Sequence, residues 1–232
     1  VRERKIFPVF CGSALMNIGT QPLLDAMTDL LPSPADRGEA RGSDPRDRSE
    51  ISRRPLPSEP YSAFVFRTIA DPFSGRISLF RVYSGTIKSD NTVNNVTRGT
   101  AERFGAISLM QGKELIHVTE VRAGDIAAVP KLKETHTGDT LADKAHPIVY
   151  KPVVFPEPSI SFAIEPKSRG DEDKISSSLQ RLQEEDPTIR SSRDPQTKEL
   201  LLSGQGQLHI EVTVAKLKRR FGVEVNLKLP RI

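Results

Sequence analysis

Residues 202–211, LSGQGQLHIE, place a glycine-rich turn directly before a strongly patterned segment. Gly204 and Gly206 are expected to provide the backbone freedom for a tight strand-to-helix turn. The segment that follows has apolar residues at helical spacing, which predicts one buried stripe: Ile210, Val214, Leu217 and Phe221. Gly222 is then a typical helix end. The stretch therefore predicts a strand, a tight turn and a core helix.

The surrounding residues, 152–232, have the pattern of a small α+β domain. A strand is predicted at 160–164 and a helix follows, with apolar positions 175, 179 and 182 and an exit at Pro187. Short strands near 189 and at 200–202, the second helix and a last strand at 223–227 complete the order βαββαβ. This order is that of a ferredoxin-like domain.

Residues 61–151 alternate short β-rich runs with turns and contain no long amphipathic helix. The predicted strands include 64–66, 77–82, 92–96 and 126–129. Such spacing is typical of a small antiparallel barrel. The predicted fold class is therefore mixed β and α+β, an antiparallel β-barrel followed by a ferredoxin-like domain.

The first 34 residues predict one strand, at 6–10, and one helix that begins near Thr20. From 35 to 60, Gly, Pro, Ser and charged residues dominate. Few apolar groups are available there to offset an ordering entropy of about 1–2 kcal/mol per residue. We therefore predict a flexible linker at 35–60, with a mobile part at 38–57.

Composition excludes several classes of protein. Cys11 is the only cysteine among 232 residues, which excludes a disulfide framework and favours a reducing compartment. With four scattered histidines, no metal-ligand spacing is found. No apolar run reaches membrane-spanning length. A net charge of +4 permits contact with RNA.

Residues 202–211 resemble the Ser-Gly-x-Gly-x-Leu-His-x-Glu signature of the elongation factor G family. Further segments resemble domains II and III of that family, in the same order: 71–75 (DPFSG), 80–85 (FRVYSG), 121–127 (VRAGDIA), 137–141 (TGDTL), 155–158 (FPEP) and 164–167 (IEPK). The resemblance thus extends from about residue 61 to the end of the chain.

The resemblance implies a central piece of a longer, multidomain translational GTPase. Residues 1–34 would end its GTPase domain, 35–60 would be the linker, 61–151 domain II and 152–232 domain III. The implied partners are the ribosome, through ribosomal RNA and small-subunit proteins, and the GTPase domain of the same chain. A cytoplasmic monomer without membrane contact is expected.

Two sets of site residues follow from the resemblance. Ser13, Ala14 and Leu15 are similar to the last guanine-contacting loop of translational GTPases, although a plain strand-to-helix loop would look the same. A second set would contact the switch region of the GTPase domain and couple nucleotide state to domain orientation: Gly204, Gly206, Leu208 and His209.

The chain lacks the motifs that phosphoryl transfer requires. There is no Gly-x-x-x-x-Gly-Lys-Ser/Thr phosphate loop and no Asn-Lys-x-Asp motif. His209 and Glu211 do not share a helix face, because they are two residues apart. We expect no catalytic residue, metal or cofactor in this chain, with GTP and Mg²⁺ bound by the full-length protein.

Basic residues supply the candidates for contact with ribosomal RNA: Arg76, Lys88, Lys167, Arg169, Arg190, Arg193, Lys216 and Arg219. The last two belong to a cluster at 216–220. Cations in the last turn of a helix are favoured by about 0.3–1 kcal/mol without any ligand. The cluster therefore has a structural explanation as well.

Departures from the family pattern bear on the type of family member. Gln205 and Gln207 stand where housekeeping elongation factor G usually has Met and Glu, and residues 130–134 (PKLKE) stand where it has a Gly-Leu-Lys segment. These changes favour an elongation-factor-G-like paralogue acting in translocation or ribosome recycling. The alternatives are a tetracycline-resistance-type ribosome-protection protein and a non-enzymatic RNA-binding or ribosome-assembly module.

Overall fold

The structure, a computed structural model, describes residues 1, 3, 5–71, 75–112, 114–168 and 170–231. The helices are α1 Thr20–Leu30, α2 Glu172–Glu185 and α3 Gln207–Lys216. The first twelve strands are β1 Ala40–Ser43, β2 Glu50–Arg53, β3 Ser62–Asp71, β4 Gly75–Ser84, β5 Thr86–Lys88, β6 Thr92–Asn95, β7 Thr100–Arg103, β8 Ile107–Gln111, β9 Glu114–Val118, β10 Glu120–Arg122, β11 Ile126–Pro130 and β12 Thr140–Ala142. The last four are β13 Ile160–Pro166, β14 Arg190–Arg193, β15 Leu200–Gly204 and β16 Val225–Lys228.

Strands β3 to β12 form the antiparallel barrel that the sequence predicts. Eight of them make one sheet in the order β7-β6-β12-β3-β4-β11-β8-β9, while β5 pairs with β10. Residues far apart in this order, such as Val93 on β6 and Ile107 on β8, share one core cluster. The sheet therefore wraps around its core, where the rings of Phe80 and Phe104 lie 5.4 Å apart.

Residues 160–228 form the predicted βαββαβ domain, called here the α+β domain. Its four antiparallel strands have the order β14-β15-β13-β16, and α2 and α3 contribute to a single core with the sheet. The helical core residues are fully buried: Ile175, Leu179, Leu182, Ile210 and Leu217. After α3 the chain makes a π-helical turn, Leu217–Phe221, which ends at Gly222 with φ 64°. The stripe and the helix end predicted from sequence are both present.

The predicted flexible linker at 35–60 is wrong over its central part. Strands β1 and β2 form an antiparallel hairpin, and Ser43 pairs with Val149 through two backbone hydrogen bonds of 2.9 Å. Ala40 and Ile51 pack against a buried cluster that includes Ile148 and Tyr150. The segment is apolar-poor, but backbone pairing and these two side chains attach it to the barrel.

The turn of this hairpin recurs in the α+β domain. In both places an Asp-Pro pair opens the turn, and the Asp Oδ1 accepts a hydrogen bond from the N–H two residues on, at 2.9 Å from Asp44 and 2.8 Å from Asp194. The cations Arg48 and Lys198 occupy the left-handed position, with φ of 63° and 60°. An Asp-Pro pair between two short segments was thus a turn signal that the linker prediction overlooked.

The N-terminal segment differs from its prediction at 6–10. No strand forms there among the described residues, and Phe7 and Val9 are 77% and 88% exposed. Helix α1 is present as predicted, but its apolar residues Leu23 and Met27, and Leu31 directly after it, are about half exposed, at 44%, 48% and 53%. Nothing in the described part of the chain covers this face.

Candidate functional site

The glycine-rich turn joins β15 to α3, and its two glycines have different roles. An added Cβ at Gly204 would lie 2.9 Å from Ile210 Cδ1 and 3.1 Å from His209 Nδ1. At Gly206 it would meet nothing within 4 Å, and the backbone there is extended, with φ 176°. The prediction that both glycines supply special backbone freedom is therefore wrong, because neither of them has a left-handed backbone conformation. Only Gly204 is required, because α3 packs closely on it.

His209 lies in the first turn of α3 and connects three segments of the α+β domain. Its Nδ1 accepts a hydrogen bond from the Gln205 N–H at 3.2 Å. A ring nitrogen that accepts carries no proton, so Nε2 carries it and donates to Asp186 Oδ2 at 3.0 Å. The histidine thereby holds the turn and the end of α2 together.

Leu208 points away from this network. It is 72% exposed, and Val212, one helical turn later, is 44% exposed. The two side chains form an apolar strip on α3 beside the glycine-rich turn. Among Gly204, Gly206, Leu208 and His209, the structure therefore offers Leu208 as the residue available to another domain, while His209 serves the internal fold.

Gln205 has a role that the sequence did not reveal. Its side-chain amide donates to the carbonyl oxygens of Pro156 and Glu157, at 3.1 and 2.9 Å. Ser159 Oγ donates to the Gln205 carbonyl at 2.7 Å. The segment that enters the α+β domain is thus fastened to the glycine-rich turn. No sequence signal marks these contacts, because they join residues nearly fifty positions apart.

Ser13, Ala14 and Leu15 lie in a turn closed by Ser13 and Ile18, whose backbone groups exchange hydrogen bonds of 2.9 and 3.0 Å. Leu15 is 98% exposed. A cavity of about 250 Å³ adjoins the turn and includes Ser13 and Ala14 in its lining. The turn therefore presents the exposed Leu15 side chain beside a small cavity.

The structure corrects the prediction that Arg76 contacts RNA. Its side chain is 13% exposed and lies 3.8 Å from Glu184 of α2. Its Nε and Nη2 donate to the Leu132 carbonyl oxygen at 2.9 and 2.6 Å. Lys216 is likewise turned inward, 3.8 Å from Glu185. Arg76 therefore lies at the junction between the barrel and the α+β domain, whereas the ion pair of Lys216 lies within the α+β domain.

The remaining basic candidates stay predictions. Lys88, Arg193 and Arg219 are exposed. Lys167 pairs with Glu224 at 3.0 Å, and Arg190 makes a two-nitrogen ion pair with Glu157 at 2.5 and 2.8 Å. Arg169 lies outside the described residues.

The requirements of a metal site and of a membrane-spanning helix can be compared with the described residues. Within these, no three His, Cys, Asp or Glu side chains are grouped as a metal site would need. No helix in the same part of the chain combines the length and apolar character needed to cross a bilayer. Three kinds of surface are exposed on the described residues: the strip on α3, the apolar face of α1 and the exposed cations.

Two models of known protein families match this chain. The family model described as elongation factor G domain 2 matches residues 60–144, and that described as elongation factor G, domain III, matches residues 155–229. The chain belongs to the elongation factor G family. The barrel is its domain II and the α+β domain its domain III, so the chain is a member of a translation-factor family.

A solved structure supports the same assignment. The chain is similar to a crystal structure of a protein from Thermus thermophilus, with 31% sequence identity and a TM-score of 0.73 over 93% of this chain. The matched region is 30% of that protein. This chain therefore spans less than a third of the length of its solved relative.

Proposed function

We propose that this chain is the central part of a ribosome-binding translational GTPase, an elongation-factor-G-like paralogue of the cytoplasm. In the full-length protein, GTP hydrolysis would drive a rearrangement of domains on the ribosome, in translocation or in ribosome recycling. The observation that carries the proposal is the match of two consecutive family domains, in order, across most of the chain.

The residues of this chain would transmit rather than perform the chemistry. The apolar strip of Leu208 and Val212 would dock on the GTPase domain, with Gly204 allowing close packing of the turn behind it. GTP, when bound by the full-length protein with Mg²⁺, supplies the free energy of the rearrangement. Ser13, Ala14 and Leu15 would contact the base only as the edge of a site built elsewhere.

The first test uses the chain as it is. Isothermal titration with GTP and Mg²⁺ is expected to show no binding, because the phosphate loop is absent. Sedimentation with purified ribosomes is expected to carry the chain into the pellet, and addition of salt to weaken this contact. Micromolar GTP binding, or no ribosome association at low salt, would contradict the proposal.

The second test separates coupling from catalysis in the full-length protein. Leu208→Ser is expected to lower ribosome-stimulated GTP turnover while intrinsic GTP binding stays unchanged. Glu211→Ser, on the same helix and exposed, is the matched control. Loss of basal hydrolysis in the Leu208 variant without ribosomes would overturn the coupling role. A full-length protein without any GTP hydrolysis would favour the RNA-binding module instead.

A further inference from the structure

An ion pair of the α+β domain, between Glu185 and Arg220, forms hydrogen bonds with the backbone of Ala70 in the barrel. Glu185, near the end of α2, lies 2.7 Å from Arg220 through its Oε2 atom. The same oxygen accepts the Ala70 N–H at 3.3 Å, and Arg220 donates its other terminal nitrogen to the Ala70 carbonyl oxygen. The side chains of Glu185 and Arg220 are only 11% and 18% exposed.

Ala70 lies where β3 has a free edge. Strand β4 pairs with β3 up to Asp71, whereas β12 pairs with it only at Ser62, Ala63 and Phe64. Unpaired backbone groups at a strand edge need another partner when they are buried. The ion pair supplies both, an acceptor for the N–H and a donor for the carbonyl. It thus takes the place of a neighbouring strand.

The same contact accounts for two of the four cations in the basic cluster at 216–220. Lys216 and Arg220 are four residues apart across the π-helical turn, and both face Glu185. Lys218 instead pairs with Glu224 at 3.0 Å, and Arg219 is exposed. Charges that are adjacent in sequence therefore divide between an interdomain contact and the surface. Arg76 and Glu184 add a second charged contact across the junction at 3.8 Å.

The covalent connection between the two domains leaves room for movement. Tyr150 is held by the barrel, and the Gln205 amide holds residues 156 and 157. Between them, no hydrogen bond to residues 151–155 occurs within the described residues, and Val153 and Val154 are 55% and 85% exposed. This segment can act as a hinge.

We propose that Glu185 and Arg220 form a latch that fixes the orientation of the α+β domain on the barrel. Release of the latch from Ala70 lets the domain rotate about residues 151–155. All contacts of the latch lie within this chain, so the latch can be tested without a partner. That the latch opens during domain rearrangement on the ribosome rests on the proposed function.

Amide hydrogen exchange and an interdomain distance test the latch without ribosome or nucleotide. Cys11→Ser removes the only cysteine, and Lys88→Cys with Lys174→Cys then places one spin label on each domain at exposed positions. Arg220→Ala is expected to speed exchange of the Ala70 amide about tenfold or more, because Glu185, which accepts that N–H, loses the ion-pair partner that positions it. The distance distribution is expected to broaden.

The controls are matched in position. Arg219→Ala removes a cation from the same helical turn without changing the latch. It is therefore expected to leave the Ala70 exchange rate and the interdomain distance distribution unchanged. The Val65 amide, which donates to the Asp139 carbonyl at 2.9 Å, reports whether the barrel remains intact. Arg220→Lys keeps the charge but lacks the planar fork needed to reach Glu185 and Ala70 together, so it is expected to give the same effects if Arg220→Ala fails to fold.

The outcomes decide the proposal. An Ala70 exchange rate and a distance distribution that both match those of the wild-type chain would overturn the latch. Faster exchange with an unchanged, narrow distance distribution would also overturn it as the device that sets orientation. Failure of ribosome binding in the wild-type chain would instead count against the proposed function and leave the latch standing.

Discussion

His209 and Asp186 join the start of α3 to the end of α2 by a hydrogen bond of 3.0 Å, donated from Nε2 to Oδ2. The side chains are 22% and 30% exposed, so the contact is partly shielded from water. Asp186 also accepts from the N–H and hydroxyl of Thr188 at 3.0 and 2.5 Å. The histidine of the signature thus stabilises the fold of the α+β domain itself.

Acid should weaken the α+β domain in part through Asp186. Burial tends to raise the pKa of its carboxyl group, but the hydrogen bonds from Thr188 and His209 outweigh this and hold the pKa below its usual value. A depressed carboxyl pKa stabilises the fold above the unfolded value of about 3.9, and this contribution is lost as pH falls through the folded value. Asp186→Asn should flatten that acid dependence in denaturant unfolding and cost about 2 kcal/mol near neutral pH.

The exposed carboxylate Glu211 provides the control for that experiment. Glu211→Gln should change the free energy of unfolding near neutral pH much less than Asp186→Asn does, because the contact described for Glu211 is an exposed one with Gln207 at 2.9 Å. If Asp186→Asn retained the full wild-type slope below about pH 4, the assignment of that slope to Asp186 would be wrong.

The two glycines of the signature turn should respond in opposite ways to serine. Gly204→Ser places a Cβ 2.9 Å from Ile210 Cδ1, and such overpacking typically costs about 1–3 kcal/mol. Gly206→Ser meets open space at an N-cap position, where serine is favoured over glycine by a few tenths of a kcal/mol. Thermal unfolding of the two variants measures the difference. Equal destabilisation of both would contradict the packing described for this turn.

The hairpin of β1 and β2 should resist proteolysis as well as the barrel does. Gly42→Ala would bring a Cβ within 2.6 Å of the Val149 carbonyl oxygen and 2.7 Å of Ile148 Cγ1, which should detach the hairpin. Trypsin should then cleave after Arg46 and Arg48 well before any site in the barrel. Arg41→Ala, at an exposed neighbouring position, should behave like the wild-type chain. Rapid cleavage of the wild-type chain after Arg46 and Arg48 would contradict the docked hairpin and support the prediction of a flexible linker.

Tyr150 should report the docking of the same hairpin through its alkaline titration. Burial raises the pKa of its phenol to about 12, although the hydrogen bond with Ser62 acts in the opposite direction. A raised pKa stabilises the fold below the unfolded value of about 10, and the contribution is lost as pH rises through the folded value. Difference absorbance between the wild-type chain and Tyr150→Phe isolates this phenol. In Gly42→Ala its pKa should fall toward 10, whereas an unchanged pKa would show that the hairpin does not cover it.

Local patterns in the sequence were sufficient to predict the elements of the α+β domain and much of the barrel. The helix from Gln207 to Phe221, its end at Gly222 and the βαββαβ order depend on spacing within a few residues, which periodicity reads directly. The order of family motifs also identified the family. The free space at Gly206 and the close packing at Gly204 could not be distinguished, since both are simply glycines in a turn.

Contacts between residues distant in sequence decided the rest. The segment at 38–57 looked like a tether because it is apolar-poor, yet its stability comes from pairing with Val149 and packing on Tyr150, about a hundred residues away. Arg76 and Arg220 looked like free cations because nothing near them in sequence shows that Glu184, Glu185 and Ala70 lie beside them. Periodicity reports which face of an element is buried. Only the folded chain determines which charges face one another across a junction, because that depends on how separately folded units come together.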